Sequence, residues 1–79
     1  MIAKAITKNQ LLILSEAANN PYPITTLLRN LSRRERISIS TLKSSARSLK
    51  ELGMIAFGNS ETARLTSAGK LLIQIVAIR

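Results

Sequence analysis

The chain has 79 residues, no Cys, no His, and twelve Lys and Arg against four acids, for a net charge of +8. Without Cys or His there is no disulfide, no thiol nucleophile, no Ser-His or Cys-His dyad and no zinc site of the usual kind; Glu16, Glu35, Glu51 and Glu61 are too scattered for a local acid/base pair, so neither an enzyme nor a cofactor is expected. So short a chain allows one domain, residues 1–79, around a single modest core, and its cations point to a polyanionic partner, nucleic acid before an anionic membrane surface.

Residues 1–6 alternate weakly and fit either a short strand or the run-in to a helix. Thr7, with Gln10 three residues later, has the form of a capping box. The apolar run begins at Leu11, which predicts a first helix over residues 8–18 with Leu11, Leu14 and Ala18 inward and Leu12 and Ile13 as surplus apolar surface. The run at residues 11–14 is too short for a signal peptide, and no apolar stretch approaches the roughly 18 residues of a transmembrane helix. A cytoplasmic, nucleoid-associated protein with no membrane partner is therefore expected. Asn19-Asn20-Pro21-Tyr22-Pro23 excludes helix. Ile24 fits a very short strand, and Thr25 the cap of a second helix with Leu27, Leu28 and Leu31 as its core face. Ser32-Arg33-Arg34-Glu35-Arg36 then forms either one more turn of that helix or an extended basic loop.

Residues 37–55, ISISTLKSSARSLKELGMI, combine a start signal at Ser38 or Ser40, an amphipathic period and a stop signal at Gly53, and so predict a helix over residues 40–52. At about 100° per residue, Leu42, Ser45, Ala46, Leu49 and Leu52 share the core face, and Ser40, Lys43, Ser44, Arg47 and Glu51 share the other. Residues 29–50 hold the cations Arg29, Arg33, Arg34, Arg36, Lys43, Arg47 and Lys50 against the single acid Glu35, which concentrates six of the eight net charges there. Residues 54–57 and 62–65 read as strands joined by a turn at 58–61, with Ile55, Phe57, Ala63 and Leu65 inward and Arg64 outward. Thr66 caps a last helix, residues 67–79, whose apolar arc of about 220° is roughly twice what one core needs.

Ile37, Ser38, Ser40, Thr41, Leu42, Leu49, Leu52, Gly53, Met54 and Ile55 resemble the recognition helix of winged helix-turn-helix DNA-binding proteins. Leu65-Thr66-Ser67-Ala68-Gly69-Lys70 resembles the LT-x-x-G-[KR] exit from the wing in small MarR-like and PadR-like transcriptional regulators. The likeness covers residues 7–72 in the order helix, helix, helix, hairpin, helix. Ala46 is smaller than the usual occupant of its place, and the basic insertion before Ile37 departs from the pattern.

The resemblance implies a mostly α fold with a small β-hairpin wing, and a sequence-specific double-stranded DNA-binding protein, a transcriptional regulator. It would insert residues 40–52 in the major groove, with Ser40, Lys43, Ser44 and Arg47 at base edges and Arg33, Arg34, Arg36, Lys50 and Arg64 on the backbone. The alternative is a winged-helix interaction module of a transcription or replication assembly, with the same fold and no base reading. The concentration of cations favours the first. RNA or single-strand binding would be helped by exposed aromatics, and Tyr22 and Phe57 are the only two. The wide apolar arc of the last helix predicts a homodimer. If Leu71, Ile75 and Ile78 serve the core, Leu72, Ile73 and Val76 form the interface, and the reverse assignment stays open.

Overall fold

Among the described residues, which are 7–20, 22–58 and 62–78 with side chains through residue 75, the computed structural model contains four helices and one two-stranded antiparallel hairpin. In chain order these are α1 (Lys8–Asn19), α2 (Ile24–Glu35), α3 (Ile39–Glu51), β1 (Ile55–Ala56), β2 (Arg64–Leu65) and α4 (Ser67–Ile78). The expected strand or run-in at residues 1–6, Pro21, residues 59–61 of the expected turn and the side chains of Val76 and Ile78 lie outside the described residues. Among the described residues no helix is long and apolar enough to cross a membrane.

The capping box forms at the start of α1: the Thr7 hydroxyl accepts the Gln10 N–H at 3.1 Å, and Gln10 Oε1 accepts the Thr7 N–H at 2.8 Å. Of the residues expected inward on α1, Leu14 is buried and Leu11 and Ala18 are not; with Glu16 buried to one side, the stripe is Gln10, Ile13, Leu14 and Ala17. These positions follow i, i+3, i+4, i+7. A polar side chain whose hydrogen bonds are met within the fold can be buried, so the stripe starts at Gln10, and reading apolar letters alone turned the helix by one residue. Ile13, expected as surplus, has no exposed surface, and Leu12 packs partly buried against the core.

The short β contact expected at Ile24 falls one residue earlier, where Pro23 bridges Thr62 and the Tyr22 carbonyl accepts the Ala63 N–H at 3.0 Å. Ile24 is the first residue of α2, and Thr25 does not cap it. The cap position is Pro23, at φ −55° and ψ 150°, and it makes no side-chain hydrogen bond to the first turn. Leu27, Leu28 and Leu31 are buried as the spacing requires. The basic insertion resolves as an added turn of helix, since α2 runs through Glu35.

α3 begins one residue before the expected start. Ser38, not Ser40, is its cap, accepting the Thr41 N–H at 3.3 Å. Leu42, Ala46 and Leu49 are buried in one core with Ile13, Leu14 and Ala17 of α1 and Leu27, Leu28 and Leu31 of α2, and Ile55 and Ala63 close it from the hairpin side. Leu52, expected inward, is 50% exposed. It follows the last helical residue, so the helical period no longer sets its direction. The chain then turns through Gly53 at φ 75°, with the Gly53 N–H donating to the Lys50 carbonyl and the Met54 N–H to the Leu49 carbonyl, both at 3.0 Å. This is a Schellman ending, which needs a residue tolerant of positive φ.

The hairpin pairs Ile55 with Leu65 and Ala56 with Arg64. Its exit is tied back to the turn after α3: the Thr66 hydroxyl donates to the Gly53 carbonyl at 2.5 Å and accepts the Gly69 N–H at 3.2 Å, and so caps α4. Gly69 lies so close to the Met54 carbonyl that no side chain fits between them. That contact sets the rotation of α4. Leu72 and Ile73, three and four residues after Gly69, pack against the core, whereas Leu71 and Ile75 are 58% and 54% exposed. The division of α4 that gave Leu71 and Ile75 to the core and left Leu72, Ile73 and Val76 outside is thus reversed for the four side chains that are described.

Candidate nucleic-acid interface

α3 places Ser40, Lys43, Ser44 and Arg47 on its outer face, and none of the four is buried. The buried Leu42, Ala46 and Leu49 fix the helix from behind, so the orientation of this face is set by the core. The start of the helix is also held: the Ser38 hydroxyl donates to Thr41 Oγ1 at 2.8 Å in addition to its cap bond. Lys43 and Arg47 are one turn apart and form no ion pair among the described residues. The two serines flanking Lys43 and Arg47 keep the surface low, which allows close approach by a neighbouring molecule.

Arg36, Ile37 and Ser38 join α2 to α3. The Ser32 hydroxyl donates to the Ile37 carbonyl at 2.6 Å and ties this turn to the last turn of α2. The three arginines expected to act together there divide into two kinds. Arg34 Nη2 donates to the buried carboxylate of Glu16 at 2.7 Å, and its Nε lies 3.3 Å from Glu35. Glu16 also accepts from the Asn20 amide at 3.0 Å. The hydrogen bond to Glu16, and after it the one to Glu35, raises the Arg34 pKa further above its ordinary value. Arg34 therefore latches α2 to α1, and its charge is met within the fold. Arg33 and Arg36 are exposed, with no ion pair among the described residues.

Arg36 has φ 57° and ψ 45°, the left-handed conformation in a residue that is not Gly. An L side chain there costs on the order of 1–2 kcal/mol, so a cation is held at the turn against local preference. Arg36→Gly is expected to raise stability by about 0.5–1 kcal/mol after the added entropy of the unfolded chain is deducted, while weakening binding to duplex DNA. Denaturant melts and fluorescence anisotropy read the two effects separately. A less stable variant would mean that the Arg36 side chain holds the turn.

The remaining expected contacts are more peripheral. Lys50 Nζ lies 4.7 Å from the centroid of the Phe57 ring, a cation–π distance that draws its ammonium toward the base of the hairpin. Arg64 is exposed on β2, opposite Ala56. Reading residues one helix at a time missed Arg29, which lies across a groove from Lys43 and Arg47. Only the packing of α2 beside α3 brings these three together, and no spacing in the sequence signals it. Comparison with protein-family models, curated proteins and solved structures gave no match.

Proposed function

We propose that this protein is a sequence-specific double-stranded DNA-binding protein of winged helix-turn-helix type, a transcriptional regulator that inserts α3 in the major groove. One observation carries the reading: a helix anchored in the core by Leu42, Ala46 and Leu49 presents the row Ser40, Lys43, Ser44 and Arg47 to the outside. A major groove admits a helix of this kind. Arg47 suits the paired acceptors O6 and N7 of guanine, and Lys43 and the two hydroxyls suit other base edges. Arg33 and Arg36 beside the start of α3, with Lys50 and Arg64 toward and beyond its end, would contact phosphates and fix the register. Arg34 drops out of that set because Glu16 and Glu35 engage it. Selection of bound sites from random duplexes tests the proposal: a sharp motif is expected, and recovery of unenriched sequence would contradict base reading.

The working unit in this reading is a two-fold homodimer formed through α4. Leu71 and Ile75, one turn apart, supply a self-complementary apolar patch on a protein too small for much core. Two-fold symmetry would offer two copies of α3 to successive major grooves, about 34 Å apart. Leu71→Glu combined with Ile75→Glu is expected to convert a dimer into a monomer in sedimentation at micromolar concentration, with helical content retained. A wild-type monomer at that concentration would remove the dimer from the proposal.

A further inference from the structure

Between α2 and α3, and ending at the base of the hairpin, lies an open groove of about 800 Å³. Its floor is apolar, formed by Ile24, Leu28, Ala46 and Phe57, and its rim carries Arg29 from α2 and Lys43, Arg47 and Lys50 from α3, with Glu51 the one acid. The volume is that of a ligand site. DNA would engage the rim through phosphates and polar base edges, and the one apolar group it could turn toward the floor is the thymine methyl.

We propose that this groove binds an acidic amphipathic helix of a partner protein, which seats apolar side chains on the floor and aligns its carboxylates with the cationic rim. Three features select this occupant. The α3 cations recur at i, i+4 and i+7, a row of about 10 Å at the helical rise. That is too long for one carboxylate, and it matches acids repeated at helical spacing. Arg29 faces the row from the other wall, so an acidic helix lying between the walls would meet positive charge on both sides. The apolar floor rejects a uniformly charged polyanion and accepts a helix with one apolar stripe, the helix-in-groove mode of recognition. The occupant would cover Lys43 and Arg47, so it would exclude DNA. That consequence rests on the DNA reading above, whereas groove binding itself does not.

The probe is a fluorescein-labelled peptide of about four helical turns, built from Leu and Glu with Leu on a single stripe, beside a scrambled peptide of the same composition. The striped peptide is expected to bind the full chain at least about tenfold more tightly, a difference of about 1.4 kcal/mol. Ile24→Ser with Thr25→Asn makes two groove-lining positions more polar, keeps every cation and lies outside the proposed DNA contacts. It is expected to abolish that preference while duplex affinity changes by less than about threefold, well under 1 kcal/mol. Displacement of duplex by the striped peptide alone would complete the case. Equal binding of both peptides would reduce the effect to bulk charge and overturn the proposal, as would striped binding unaffected by the double variant. Dodecanoate saturating the groove while the striped peptide shows no preference would assign the site to a small amphiphile and also overturn it. Peptide binding in a protein that binds no duplex would leave the groove assignment standing and defeat the DNA reading alone.

Discussion

Gly69→Ala is expected to destabilise the protein by about 3 kcal/mol, the upper part of the range for overpacking a well-filled site. A β-carbon at Gly69 would overlap the Met54 carbonyl oxygen outright, lie 3.1 Å from the carbonyl carbon and touch Leu65 Cδ2 at 3.4 Å. The first two obstacles are backbone, held by the Met54 N–H bond to Leu49 and by the Thr66 N–H, which donates to the same Met54 carbonyl at 3.1 Å. Neither can swing aside as a side chain would, so relief requires α4 to lift from the hairpin. The sign makes the test sharp, because Gly→Ala inside an unobstructed helix gains about 1 kcal/mol. At about 4–8 °C per kcal/mol for a domain of this size, the melting temperature should fall by about 12–24 °C. A rise in Tm would mean that α4 does not sit against Met54, and the outward placement of Leu71 and Ile75 would fail with it.

Arg47→Ala is expected to cost about 1–3 kcal/mol on the preferred duplex and much less on random duplex, because it removes the bidentate base contact proposed for this residue. Arg33→Ala should instead weaken every sequence alike and lower the salt slope by about one for each phosphate no longer neutralised. Arg47 is in the middle of the outer face of α3, one turn beyond Lys43, and its neighbours on that face are small or cationic until Glu51. Arg34→Ala belongs to neither class. It leaves the buried Glu16 carboxylate with Asn20 alone as a side-chain hydrogen-bonding partner, so it should lower the melting temperature where Arg33→Ala does not. Equal losses on specific and random duplex for Arg47→Ala would mean that another face or another helix reads the DNA.

The element order and the face of α3 were legible because local signals agreed there. Ser38, the apolar spacing of Leu42, Ala46 and Leu49, and Gly53 each specify the same helix, and Gly53 takes the positive φ its place requires. The pattern from Leu65 to Lys70 was legible only as a likeness. Its physical content is the double role of the Thr66 hydroxyl and the missing side chain of Gly69. What could not be read depended on long-range partners. Arg34, eighteen residues away, supplies the partner of the buried Glu16, and this pair changes the role of Arg34. Pro23 displaced Thr25 as the start of α2 because residues 22 and 23 are held by Thr62 and Ala63, just before β2. The rotation of α4 was likewise set by one backbone contact, which an apolar arc spread around most of the helix cannot specify.

The most direct test of the DNA-binding proposal is the affinity of wild-type protein for duplex DNA as a function of salt. Each neutralised phosphate contributes about 0.9 to the slope of log affinity against log salt, so about four to eight contacts per dimer give a slope of roughly −4 to −7. A fourfold rise in salt should then lower affinity by about 10²–10⁴-fold. That slope is the expected result; a flat salt dependence, or no binding to duplex at low salt, would contradict the assignment of α3 and its flanking arginines to DNA.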